Sequence, residues 1–118
     1  KLPIKIFILN NQYMGMVRQW QELLHEKNYS ESYTAALPDF VKLAEAYGCV
    51  GIQATKPDEL DEKINEMINT KEPVIFDCRV DPAENCYPMI PSGKPHNQML
   101  LGPEDEKEEV TDEGKTLV

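Results

Sequence analysis

Apolar positions recur along this chain in two rhythms, and each change of rhythm marks an element. Residues 4–9, Ile-Lys-Ile-Phe-Ile-Leu, form a short β-rich run that stops at Asn10 and Asn11, both poor strand formers. Over residues 14–27 the rhythm turns helical, with Val17, Trp20 (or Gln21) and Leu24 spaced by three and four along one stripe. Residues 28–38 read as a polar loop with Tyr29 and Tyr33 packed beneath it. A second helix is expected from Pro38-Asp39, because Pro suits a first turn. Phe40, Val41, Leu43, Ala44 and Tyr47 would form its apolar face and Gly48 its stop. Residues 49–54 read as a strand. Thr55-Lys-Pro-Asp then predicts a third helix, with Thr55 as cap, acids in the first turn, and Leu60, Ile64, Met67 and Ile68 as the buried stripe. Residues 73–80 read as a third strand. Residues 81–101 carry Pro82, Pro88, Pro91, Gly93 and Pro95 and are irregular.

The order β-α-α-β-α-β predicts an α/β fold: a partial parallel sheet flanked by helices on both faces, with right-handed crossovers. Three strands make a thin sheet for this class. Together with a first residue that is Lys rather than Met, this suggests a cut inside a longer protein. The cut would make the 4–9 strand an edge here and an inner strand in the parent. At 118 residues the chain holds one domain at most. Its net charge of −9 argues against nucleic acid or an anionic membrane as partner. Residues 103–118 account for −5 of that charge, leaving −4 for residues 1–102, so the last stretch reads as an acidic, disordered tail. Three cysteines without a CxxC argue against a disulfide framework or zinc site, and Cys49 and Cys78 lie in apolar runs that suggest burial. No apolar run is long enough to span a membrane, and a cytoplasmic location is expected.

In open parallel sheets, ligands bind beyond the carboxyl ends of the strands. Leu9-Asn10-Asn11-Gln12-Tyr13-Met14-Gly15 occupies such an end, where a strand gives way to a helix. A helix start offers free N–H groups and a positive dipole end suited to phosphate. Gly15 permits close approach of a ligand, and Asn side-chain and backbone oxygens are hard donors suited to Mg²⁺. The same residues can also serve only to end a strand and turn the chain.

Longer stretches favour the first of these readings. Residues 8–21, Ile-Leu-Asn-Asn-Gln-Tyr-Met-Gly-Met-Val-Arg-Gln-Trp-Gln, resemble the second half of the thiamine-diphosphate motif of the acetolactate synthase (acetohydroxyacid synthase) large-subunit family. Residues 86–100, Cys-Tyr-Pro-Met-Ile-Pro-Ser-Gly-Lys-Pro-His-Asn-Gln-Met-Leu, resemble that family's C-terminal segment. The Asn pair is common to many thiamine-diphosphate enzymes; Gly-Met-Val-x-Gln-Trp and Met-Ile-Pro-Ser-Gly are far more specific. The resemblance covers residues 2–102 and implies the second half of a thiamine-diphosphate-binding, Rossmann-like domain. It implies that Asn11 ligates Mg²⁺ through its side-chain oxygen and Tyr13 through its backbone carbonyl. It places Met14, Gly15, Met16 and Val17 along the cofactor, and Trp20 and Ser92 at the channel for the second 2-ketoacid. The activity implied is condensation of two pyruvates, or of pyruvate with 2-ketobutyrate, with loss of CO₂. The family also implies FAD bound outside this stretch, a homo-oligomer of large subunits and a regulatory small subunit.

No catalytic residue falls within the chain on this reading. The Gly-Asp-Gly half of the motif does not occur in it, nor does the family's activating Glu, so the chain alone is expected to be inactive. Another thiamine-diphosphate carboligase or oxidase, or a non-catalytic α/β partner-binding module, are the competing readings. His25 and His96 lack partners at catalytic spacing and read as surface residues. Arg18 and Glu22 read as a surface ion pair. Asp77 reads as an edge-facing side chain, with support of a site residue as its alternative. Glu59, Asp61 and Glu62 read as a solvated helix face.

Overall fold

A computed structural model describes residues 2–34 and 36–103; the acidic tail expected over 103–118 lies almost wholly outside the described residues. The chain divides into two compact units. The first holds the chain up to Tyr13 together with Thr34–Ala83, and the second holds Met14–Tyr33 and the chain from Glu84 onward.

The first unit is a three-stranded parallel sheet in the order β1-β3-β2, with β1 Lys5–Asn10, β2 Val50–Ala54 and β3 Val74–Arg79. Register places Val50 beside Val74, Ile52 beside Phe76 and Ala54 beside Cys78. Successive side chains point to opposite faces, so these six share one face. Five of them, Ile52, Ala54, Val74, Phe76 and Cys78, form the buried core, and Val50 packs at its edge. Leu60, Ile64 and Met67 of α3 (Leu60–Asn69) close over that core. Ile68, expected in the same stripe, is exposed, because the helix turns it away from the sheet. The other face is covered by α2 (Phe40–Ala46), where Gly51 of β2 lies against Val41 and Ala44 is fully buried. Helices therefore cover both faces over β2 and β3, as the element order predicted.

Asp39 caps α2 by accepting the Lys42 N–H at 3.0 Å. That backbone bond, helped by the Lys42 side chain, holds the Asp39 carboxyl below the ordinary aspartate value. Gly48 follows the helix at φ 66°, the left-handed position that ends helices. Tyr47 lies in this stop and is exposed, not part of the apolar face. Thr55 is not a helix cap. A 3-10 turn at Pro57–Glu59 intervenes, since Pro57 needs no N–H partner in a first turn, and Thr55 only reaches Glu59 Oε1 at 3.5 Å. Asp61 and Glu62 are solvated, with Glu59 half-buried. Cys78 is buried, and burial beside the Asp77 carboxylate raises its thiol pKa; Cys49, expected inside, is half-buried.

β1 is an edge strand. Phe7 meets Phe76 with ring centroids 4.6 Å apart, and Lys5 donates to the carbonyls of Thr70 and Glu72 at the end of α3. Ile6, Phe7 and Leu9 nevertheless stay exposed. β1 thus carries an apolar pattern on an edge position.

A Cβ added at Gly51 would lie 2.8 Å from both the Cα and the carbonyl oxygen of Val41. Backbone atoms cannot rotate aside, so Gly51→Ala is expected to destabilise the unit by about 1–3 kcal/mol, as overpacking does. Urea unfolding followed by circular dichroism measures it; an unchanged midpoint would mean that α2 shifts freely on the sheet.

Candidate cofactor site

In the first unit, β1 ends at Asn10 and the chain turns at once. Asn10 Oδ1 accepts the Gln12 N–H and Asn11 Oδ1 accepts the Tyr13 N–H, each at 3.1 Å. Bonding of an Asn side chain to the backbone two residues on is what suits this residue to such turns. Gln12 adopts φ 62°, and its carbonyl accepts both the N–H and the hydroxyl of Thr34, at 2.9 and 2.7 Å. The turn is therefore set by the Asn pair and held from the far side by Thr34.

Asp77 stands behind it. β3 is the central strand, and the Asp77 side chain, on the face opposite Phe76 and Cys78, is 1% exposed, not edge-facing. Its carboxylate accepts from Asn10 Nδ2 at 2.7 Å, from Gln53 Nε2 at 2.9 Å and from Arg79 Nε at 3.2 Å. A buried carboxylate is tolerated when donors replace its water, and here donors come from all three strands.

In the second unit, α1 runs from Gly15 to Leu24. Met14 at its N-cap provides no side-chain bond and the first turn holds no acid. The first N–H groups of a helix lack intrahelical acceptors and carry the positive end of its dipole. The Ser32 carbonyl accepts the Met14 N–H at 2.8 Å, while the buried Ser32 hydroxyl makes no hydrogen bond to a described residue. An uncapped helix start beside an unpartnered hydroxyl fits an anionic ligand such as a diphosphate. The hard oxygens of Asn11 and Tyr13 fit Mg²⁺. Sequence reasoning missed Ser32, which no motif marks.

The two sides of α1 differ from the expected stripe. Val17, Met16 and Met14 are exposed, and the buried positions are Arg18, Gln19 and Leu24. Met16, Val17, Trp20, Gln21, His25 and Asn28 line an open cavity of about 480 Å³. Trp20 is half-buried and forms a wall of this cavity; it is not core. Ser92 is half-buried in the irregular C-terminal segment and is not among the residues that line it.

The buried side is polar for a reason. Gln19 Oε1 accepts the Cys86 N–H at 2.7 Å and Gln19 Nε2 donates to the Cys86 carbonyl at 3.0 Å, so one side chain satisfies both backbone groups. Met89 next along pairs with Leu100 in an antiparallel bridge. Arg18, 4% exposed, pairs with Glu22 and donates to Asn85 Oδ1, which corrects its reading as a surface pair. Tyr29 donates to Glu22 at 3.2 Å; desolvation, then the Glu22 charge, raise its phenol above the ordinary value. Tyr29 and Tyr33 are both exposed, not packed beneath the loop.

Among the described residues no group of His, Cys, Asp and Glu could hold a metal by itself, and no helix is long and apolar enough to cross a membrane. A small parallel sheet with helices, its first strand ending in a turn set by two Asn side chains, defines an α/β domain of the Rossmann-like kind. The chain belongs to the thiamine pyrophosphate enzymes, through their C-terminal TPP-binding domain, the family pattern matching residues 1–78. It is 50% identical over 101 residues to the acetolactate synthase large subunit of Cyanidium caldarium, covering 85% of this chain and 17% of that protein. It is 44% identical over 107 residues to the acetolactate synthase large subunit of Haemophilus influenzae, covering 90% and 19%. Over 104 residues it is 44% identical to the acetolactate synthase isozyme 3 large subunit of Escherichia coli, covering 86% and 18%. The chain thus spans less than a fifth of the length of these relatives.

Gln19→Leu keeps the volume but strands the Cys86 N–H and carbonyl. Cys86 is exposed, so water can replace part of what is lost, and the expected cost is about 0.5–1.5 kcal/mol, the net worth of an ordinary hydrogen bond. Hydrogen exchange at the Cys86 amide should accelerate with it, and unchanged exchange would show that the two bonds do not hold this segment.

Proposed function

We propose that residues 1–102 are the C-terminal part of the TPP-binding domain of an acetolactate synthase large subunit, with 103–118 an acidic extension. The observation that carries this reading is α1: its start is uncapped, and its Met16, Val17 and Trp20 line one open cavity. A helix that presents bare N–H groups at one end and an apolar wall along its side suits a diphosphate cofactor and a small ketoacid.

On this reading Asn11 contributes its side-chain oxygen and Tyr13 its carbonyl to Mg²⁺, while Met14, Gly15, Met16 and Val17 lie along thiamine diphosphate. Two protein oxygens are too few for the six donors that Mg²⁺ takes, so further oxygen donors would be needed to hold it. Bound thiamine diphosphate supplies the electron sink for decarboxylating pyruvate. The residues of this chain anchor it, shape the channel and keep water out. Trp20 gives the second 2-ketoacid a wide, flat wall at low entropic cost, and Ser92 borders the same channel. The overall reaction joins two pyruvates, or pyruvate and 2-ketobutyrate, with release of CO₂. FAD binds outside this stretch, and the working enzyme is a cytoplasmic homo-oligomer of large subunits with a regulatory small subunit.

The full-length protein should form acetolactate from pyruvate when supplied with thiamine diphosphate, Mg²⁺ and FAD; the 118-residue chain, which lacks Gly-Asp-Gly, should form none. Turnover by the isolated chain would show that the upstream acids are dispensable.

In the full-length enzyme Trp20→Leu is expected to leave thiamine-diphosphate affinity unchanged and to shift the choice between pyruvate and 2-ketobutyrate by about 1–3 kcal/mol, the usual size of apolar pocket effects. Competition between the two ketoacids gives the ratio directly. An unaltered product ratio would remove Trp20 from the channel.

A further inference from the structure

The first Asn of the pair has no role in the reading above, and Asp77, a buried side chain with three partners, has none either. They hydrogen-bond to each other. We propose that Asp77 is the positioning residue of the cofactor turn: it fixes the direction of the Asn10 amide, and through it the turn that presents Asn11 and Tyr13. This rests on the assignment of Asn11 as a cofactor ligand.

The chemistry of the two groups forces the direction. A carboxylate only accepts, whereas an amide has one donating and one accepting end. Asn10 can therefore offer Asp77 only its Nδ2, which lies 2.7 Å from Oδ1. That choice leaves Asn10 Oδ1 for the Gln12 N–H at 3.1 Å. Reversal of the amide would set oxygen against carboxylate and NH₂ against N–H. Asp77 cannot turn away to relieve such a conflict, because Gln53 and Arg79 both occupy its Oδ2. Gln12, held at φ 62°, needs this support, since a residue with a side chain seldom adopts that conformation alone. The neighbouring Asn11 bond to Tyr13 is the next bond of the same turn. Three strands thus converge on one carboxylate, and its free choice of donors ends at the turn. A neutral amide in place of Asp77 could not accept from all three donors at once.

The test uses the full-length protein without substrate. Binding of Mg²⁺ at fixed thiamine diphosphate, and of thiamine diphosphate at fixed Mg²⁺, is followed by calorimetry, and folding is checked by the thermal transition. Asp77→Asn is expected to weaken both by about 10- to 100-fold, the usual effect of removing a group that orients a metal ligand. At saturating cofactor its KM for pyruvate should remain that of the parent. Asn10→Ala, which leaves Asp77 its other two donors, should show a loss of the same order. The exchanged pair Asn10→Asp with Asp77→Asn should recover most of the affinity. There the new carboxylate at position 10 accepts from Gln12 and from the new amide at position 77, whose oxygen still faces Gln53 and Arg79.

A folded Asp77→Asn protein with parental half-saturation for both ligands overturns the proposal. So does parental affinity in Asn10→Ala. Should Asp77→Asn fail to fold, the exchanged pair and Asn10→Ala decide: recovery in the first with loss in the second supports it, and the reverse pattern refutes it. Asn11→Ala separates the two levels. If Asn11→Ala leaves Mg²⁺ binding untouched, the site assignment itself fails; if it weakens binding while Asp77→Asn does not, only the positioning role is lost.

Discussion

A carboxylate taken out of water must find donors to replace it, and the Asp77 carboxylate finds them on every strand of the sheet. Asn10 comes from β1, Gln53 from β2 and Arg79 from β3 itself. The apolar face opposite, built on Val74, Phe76 and Cys78, could be filled by many combinations of aliphatic side chains. The polar cluster admits few alternatives, because each bond has a fixed donor and a fixed acceptor. It therefore specifies register and the exit of β1, while the core supplies burial. The turn after β1 inherits its geometry from this cluster, and the cofactor ligands proposed here lie on that turn.

α1 shows a second division of labour. Its buried side is polar, with Arg18 and Gln19 engaged with the segment from Glu84 to Met89. Its open side is apolar, with Met16, Val17 and Trp20 around a cavity. A helix that served only to cover a core would have the opposite arrangement. Apolar side chains left exposed at a cavity, and amide and guanidinium groups buried where they complete backbone bonds, suit the binding surface proposed for this helix. β1 carries the same kind of excess: Ile6, Phe7 and Leu9 are more apolar than an edge strand requires.

Much of the fold was legible beforehand because local rules governed it. The strands at 4–9, 49–54 and 73–80 appear as β1, β2 and β3 within about a residue, and the first two helices, but not the third, begin within about two residues of their predicted starts. Gly48 acts as the stop that its chemistry suggests, whereas Pro38, expected in the first turn of α2, lies before the helix, which Asp39 caps. Periodicity failed where a helix face depends on what lies against it. Val17 and Ile68 had the right spacing for a core and are exposed, while Arg18 and Gln19 had the wrong polarity and are buried. Thr55 lost its cap because Pro57 draws the chain into a 3-10 turn first.

The sequence by itself determined the element order, the α/β class and the family, since these rest on composition, short-range periodicity and contiguous motifs. It also offered, through the family resemblance, Asn11, Tyr13 and the Met14–Val17 stretch as candidate cofactor contacts. The tertiary structure decided the rest: that β3 is central, that Asp77 is enclosed among Asn10, Gln53 and Arg79, that Gln19 completes the backbone of Cys86, and that Ser32 hides a hydroxyl near the start of α1. Asn10 and Asp77 stand 67 positions apart, as do Gln19 and Cys86. No pattern of neighbours records such a pairing, because a donor and an acceptor so distant in the chain meet only when strand order and register bring them together.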